Sequence, residues 1–146
     1  MLMKTVAHLL KQKGNDIFSI SPDATVRQAL EKLVEKNIAG LVVLEDSKLV
    51  GIFTERDYAR KVVLKGKSSK DTLIREIMTE KVISVTANTS IDECMELMTM
   101  RRIRHLPVVQ SGTVVGVISI GDLVKFIIEE QKNAIQNLES YIATGG

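Results

Sequence analysis

The apolar positions of this chain follow two rhythms, and the same succession of rhythms occurs twice. Val6, Leu9 and Leu10 have the 3, 4 spacing of a helix face. A short apolar and β-branched segment, Ile17 to Ile20, then runs into the turn chemistry of Ser21-Pro22-Asp23. Thr25 is placed to cap a helix whose buried stripe is Val26, Ala29, Leu30, Leu33 and Val34. Two apolar runs, Leu41 to Leu44 and Leu49 to Phe53, are joined by a short polar loop and predict a β-hairpin, and a second helix starts near Asp57. Further on, Ile74, Ile77 and Met78 lead into Val82 to Val85, the turn Thr86-Ala87-Asn88, and a helix capped by Ser90 that carries Ile91, Cys94, Met95 and Met98. A second hairpin, Leu106 to Val109 with Val114 to Ile118, and a helix from about Asp122 complete the series.

The unit β-α-β-β-α therefore appears twice, and the residues bear out a duplication. Gly51 and Asp57 recur 65 residues later as Gly116 and Asp122, and Ser19, Glu31, Leu41, Val43 and Val50 recur at the same offset without a gap. The lead-in segments match at an offset of 68, so the first copy has three extra residues around Gly14. We expect an α+β fold divided as 1–66 (N-terminal helix and first repeat), 67–130 (second repeat) and 131–146 (helical extension), all within one module. Gly66 to Lys70 is the only linker-like segment. A three-stranded sheet with helices on one face leaves its other face uncovered, so the two copies are expected to pack sheet against sheet. Val124, Ile127, Ile128, Ile135, Leu138 and Ile142 form a long apolar stripe on the last helix, expected to meet a second chain or the N-terminal helix.

Composition narrows the function. Twenty basic and 18 acidic residues are interspersed, and aromatics make up 3%, so neither an electropositive face nor a set of stacking platforms for nucleic acid is expected. No apolar run is long enough to span a membrane, and the first ten residues read as an amphipathic helix rather than a secretion signal. The single cysteine, Cys94, lies on a core stripe and points to a reducing compartment, the cytoplasm. His8 is expected on a helix face without a role, and Met95, Met98 and Met100 as core filling. Two distant histidines and one core cysteine offer neither a metal-ligand spacing nor a nucleophile-base pair, and no Walker or dinucleotide glycine motif occurs. The chain reads as a binding module, not an enzyme.

The chemistry concentrates where each hairpin's last strand meets its helix, at Gly51-Ile-Phe-Thr54-Glu-Arg56-Asp57 and Gly116-Val-Ile-Ser119-Ile-Gly-Asp122. Gly-x-x-Ser/Thr-x-x-Asp has a purely structural explanation, since a hydroxyl followed three residues later by an acid is a capping motif. The functional alternative is that the helix start attracts phosphate, the carboxylate accepts a ribose diol and the glycine admits a ligand to the backbone.

These residues, with Met78-Thr79 ahead of Val82-Ile83-Ser84-Val85 and with Arg102-Ile103-Arg104-His105-Leu106-Pro107-Val108-Val109, make the stretch from Val6 to Ile128 resemble a tandem pair of CBS domains (the cystathionine β-synthase type), a Bateman module. The resemblance implies a pseudo-twofold disc, a homodimer, and adenine nucleotides (AMP, ATP or NAD(H)) bound as effectors in clefts between the repeats, making the chain an energy or redox sensor. It implies Thr54, Arg56, Asp57, Thr79, Val82, Ile103 and Arg104 around one nucleotide, and Asp16, Ile17, Ile38, Ala39, His105, Ser119 and Asp122 around the other. With Arg56 and Arg104 beside it, the Asp57 cleft is expected to hold an anion more tightly. For Arg101, Arg102 and Arg104 the plain alternative is a solvated helix end. Two other readings stand beside the sensor: a scaffold with empty sites that docks on a client enzyme or transporter, and a magnesium or S-adenosylmethionine sensor.

Overall fold

A computed structural model describes residues 3–143. The elements run α1 (Val6–Lys13), β1 (Ser19–Ile20), α2 (Val26–Lys36), β2 (Gly40–Glu45), β3 (Lys48–Thr54), α3 (Glu55–Asp57, continuing as a π-helical turn over Tyr58–Val63), α4 (Ile74–Ile77), α5 (Ile91–Arg101), β4 (His105–Gln110), β5 (Thr113–Ser119) and α6 (Ile120–Ala143). The fold is α+β with two small sheets, as the periodicity implies. Both caps form where expected: Thr25 Oγ1 accepts from the Gln28 amide and Ser90 Oγ from the Glu93 amide, each at 3.1 Å.

The duplication extends to fine detail. Each hairpin closes through a two-residue turn with both residues at positive φ, Asp46-Ser47 (51° and 67°) and Ser111-Gly112 (51° and 80°), the geometry that matches strand twist. Each ladder slips register at the same place, between Val43 and Leu44 and between Val108 and Val109.

The copies part at their first strand. In the first repeat β1 runs parallel to β2 through Ser19 and Ile20, with the Val42 amide donating to the Phe18 carbonyl at 3.3 Å. In the second, the expected strand Val82 to Val85 is reduced to one parallel bridge, Val85 to Val108. The residue in the place of Val42 is Pro107, which has no amide hydrogen and cannot make the corresponding bond. The second sheet therefore has two strands, not three.

The lead-ins are exchanged between the repeats. Val6, Leu9 and Leu10 of α1 are buried with Val85, Ile91, Cys94, Met98, Leu106, Ile118, Leu123 and Phe126 of the second repeat. Ile74 and Ile77 of α4 are buried with Val26, Ala29, Leu33, Leu41, Phe53 and Val62 of the first. Matching backbone bonds fix the exchange: Ile91 donates to the Lys4 carbonyl as Val26 donates to that of Thr72, and Val6 donates to Thr89 as Ile74 donates to Ala24. The N-terminal helix, grouped with the first repeat in sequence, thus completes the core of the second. Nor does the linker end loose, since the Ser69 and Thr72 carbonyls accept the Arg27 and Val26 amides at the start of α2.

Other expectations change as well. Val34 and Met100 are exposed rather than core. His8 is not idle, because its Nδ1 lies 3.0 Å from both the amide and the hydroxyl of Thr5 and closes the start of α1. The extension from 131 is continuous with α6, and its stripe does not pack on this module: Ile135, Leu138 and Ile142 are exposed, while Leu123 and Phe126 are the residues α6 buries.

Candidate functional site

At both strand-to-helix junctions the hydroxyl and the carboxylate form a reciprocal capping box. The Thr54 amide donates to Asp57 Oδ2 at 2.9 Å and the Asp57 amide to Thr54 Oγ1 at 3.4 Å. At the second junction the Ser119 amide donates to Asp122 Oδ2 at 2.8 Å and the Asp122 amide to Ser119 Oγ at 3.1 Å. The glycine upstream admits a helix, not a ligand. A Cβ on Gly51 would stand 2.7 Å from Met78 Sδ and 3.0 Å from the Thr79 carbonyl oxygen, and one on Gly116 would stand 2.9 Å from Leu10 Cδ2. Side chains there would overpack the contact between each hairpin and its exchanged lead-in, a cost of about 1–3 kcal/mol.

The two carboxylates differ in what remains to them. Asp57 is 6% exposed, and both its oxygens are engaged: Oδ2 by the Thr54 amide and hydroxyl, Oδ1 by the Thr79 hydroxyl at 2.8 Å and the Lys61 ammonium at 2.9 Å. The Asp122 side chain retains a quarter of its surface, and the Ser119 amide and the Lys13 ammonium, at 2.5 Å, both bond to Oδ2. Burial alone would push its acidity down, but Lys13 and Ser119 outweigh it and hold the carboxyl below the usual carboxylate value. Nearby His105 is pushed below 6.5 by burial, with Asp122 opposing and Lys13 and Arg104 reinforcing the shift, so the imidazole is neutral at pH 7.

A crevice opens in front of each carboxylate. The one at Asp122 holds about 500 Å³ and brings together Asp16, Ile38, Ala39, His105, Ser119 and Asp122, all expected there, while Ile17 stays out of its lining. It adds Lys13, Gly14, Phe18, Arg104 and Val117, among others. The one at Asp57 holds about 340 Å³ and gathers Thr54, Arg56, Asp57, Thr79, Ile103 and Arg104, with Val82 outside the lining. Arg56 is already committed, since its Nη1 donates to the Arg102 carbonyl at 2.6 Å at the C-terminal end of α5. Ala39, Arg104 and His105 line both crevices, which are therefore neighbours along one junction between the repeats. Sequence reasoning missed Lys13, and the only available signal was the three-residue excess around Gly14.

Cys94 is fully buried, and burial with Glu93 pushes its thiol up to about 11, the state of an inert core residue. Among the described residues no group of His, Cys, Asp or Glu is placed to hold a metal ion, and no helix is long and apolar enough to cross a membrane.

The family model described as CBS domain matches this chain twice, over residues 6–64 and 74–129. The chain belongs to the CBS domain family. Its two matched segments coincide with the two repeats, so the junction crevices lie within a CBS domain pair. The "CBS domain-containing protein CBSX3, mitochondrial" of Arabidopsis thaliana is 39% identical over 97% of this chain and 73% of its own length. A solved structure of a protein with CBS domains from Burkholderia ambifaria superposes with a TM-score of 0.84 at 49% identity, covering 88% of this chain and 96% of that one. A further CBS domain pair, crystallised in complex with 5′-methylthioadenosine and S-adenosyl-L-methionine, superposes with a TM-score of 0.78 at 26% identity, covering 88% of this chain and 99% of that one.

Proposed function

We propose that this CBS pair is a regulatory module that binds an adenine nucleotide, AMP, ATP or NAD(H), at the junction of its repeats, with the crevice at Asp122 as the stronger site. The observation that carries the reading is the composition of that crevice. It is large enough for a nucleotide, has apolar walls in Phe18, Ile38 and Val117, and holds a half-buried carboxylate whose Oδ1 accepts no hydrogen bond from another described residue, beside the Lys13 ammonium and with Arg104 also in the lining. A diol needs an acceptor with a free lone pair. Asp122 has one to offer, whereas at Asp57 a diol has to displace Thr79 or Lys61. For the same reason the Asp57 crevice, with Arg56 tied to Arg102, ranks second despite its two arginines. The solved pair with two adenosyl compounds bound supports an adenosine-shaped occupant. Bound ligand touches both repeats and so biases their relative packing, and an effect on a client enzyme or transporter is limited by the ligand's preference between the two arrangements.

The outer half of α6 supports self-association as part of the same reading. Ile128, Ile135 and Ile142 with Leu138 fall at the two core positions of a heptad pattern, on a helix whose residues 131–143 are all exposed. A second copy of the same helix supplies the matching face. The buried, unreactive thiol fits a reducing compartment such as the cytoplasm.

Thermal unfolding with AMP, ATP and NAD tests the binding reading. A nucleotide present at a hundred times its dissociation constant stabilises the fold by about 2.7 kcal/mol, and the gain has to vanish in Asp122→Asn, which keeps the cap through its carbonyl oxygen. No shift with any of the three leaves a ligand-free scaffold as the better account.

A further inference from the structure

The carboxylate of the Asp122 crevice is paired with a residue of the exchanged helix α1. Lys13 is the last residue of α1, and its ammonium binds Asp122 Oδ2 at 2.5 Å and also the Val117 carbonyl. The helix behind it is fixed, with Val6, Leu9 and Leu10 in the core, and Gly14 follows at φ 96° with its amide donating to the Leu10 carbonyl at 2.7 Å. The arrangement has no counterpart in the other crevice. There the ammonium comes from Lys61, four residues beyond Asp57 on its own helix, and the residue four beyond Asp122 is Phe126.

We propose that Lys13 makes the Asp122 crevice selective for ligand charge, an inference that rests on the nucleotide reading above. In the empty crevice the ammonium binds Oδ2 of the carboxylate and the Val117 carbonyl, and leaves Oδ1 to a ribose diol. A neutral nucleoside therefore gains nothing from Lys13. A nucleotide adds a phosphate, which the third donor of the ammonium meets at the crevice mouth, where the side chain is 31% exposed. Lys13 thus favours adenosine phosphates over uncharged adenosine compounds, with Arg104 in the same lining as the second cation.

Calorimetric titration of adenosine and of AMP into the full chain, as wild type, Lys13→Met and Lys13→Arg, tests this. Methionine retains the side chain's length and removes its charge. The expected result is that Lys13→Met weakens AMP and leaves adenosine little changed, so that the preference for AMP falls about tenfold, the size expected of a partly exposed charge-assisted pair, and that Lys13→Arg restores it. A Lys13→Met protein that loses both ligands by the same factor overturns the proposal and makes Lys13 a structural clasp. Binding of neither ligand to the wild type overturns the nucleotide reading itself, a result distinguishable from the former because it precedes any substitution. Denaturation midpoints without ligand confirm that all three proteins are folded.

Discussion

Asp122 and His105 illustrate how much a single side chain's surroundings decide. Both titrate below their ordinary values, His105 because burial disfavours its cation and Asp122 because Lys13 and Ser119 favour its anion. For His105 the unfolded chain takes up a proton near pH 6.5 that the folded chain refuses, so its contribution to stability is complete above that pH and is lost as pH falls toward the lower folded value. Asp122 acts in the same direction lower down: its contribution is complete above 3.8 and is lost as pH falls through the depressed folded value. Urea midpoints measured at pH 7, 6 and 5 are expected to fall, and His105→Gln to remove that decline while Asp122→Asn leaves it in place. A wild-type midpoint that is flat from pH 7 to 5 contradicts a buried neutral imidazole. Asp57, with both oxygens already bonded, resembles Asp122 in sequence and differs from it in availability.

At the scale of elements, small chemical differences separate the copies. Pro107 stands where the first repeat has Val42, and the loss of one amide hydrogen reduces a strand to a bridge. The third helix turns π-helical after one turn, whereas its counterpart α6 runs on to Ala143. That length exposes residues 131–143, a segment about as long as the shortest helices that persist unaided in water. Pairing of two copies along the heptad stripe, as proposed, would supply the missing stabilisation. Sedimentation of the full chain is expected to show a dimer and of a chain ending at Glu130 a monomer with intact secondary structure, since residues 131–143 are all exposed. A full chain that sediments as a monomer refutes the pairing.

The whole molecule is held together by exchange. Each core lacks a helix until the other half of the chain supplies it, α1 for the second repeat and α4 for the first. Ile74 and Val6 are completely buried in the cores they complete, and removing a side chain of that kind costs several kcal/mol, a large share of the stability of a domain this size. Fragments 1–66 and 67–146 are therefore expected to be unfolded alone and to regain helical circular dichroism when mixed. Two fragments that fold independently would mean that the exchanged helices are dispensable. The same exchange sets Lys13 across the crevice of a repeat 109 residues away in sequence.

The chain's order of apolar and polar residues determined the elements, because a buried stripe at helical spacing or a β-branched run bounded by turn residues has one economical conformation. It also determined the duplication, both caps and the pairing of Thr54 with Asp57 and of Ser119 with Asp122, all of which are local. Most of the residues named for each crevice were legible through the family resemblance, and Ile103 and Arg104 stand at the places that Ile38 and Ala39 hold in the other repeat. Tertiary structure alone decided which core each lead-in helix completes, that Gly51 and Gly116 make room for those helices, that Pro107 costs the second sheet a strand, and that the two aspartates are unequal. These depend on which distant surfaces meet, and a repeated sequence is equally consistent with repeats that keep their own lead-ins and with repeats that trade them.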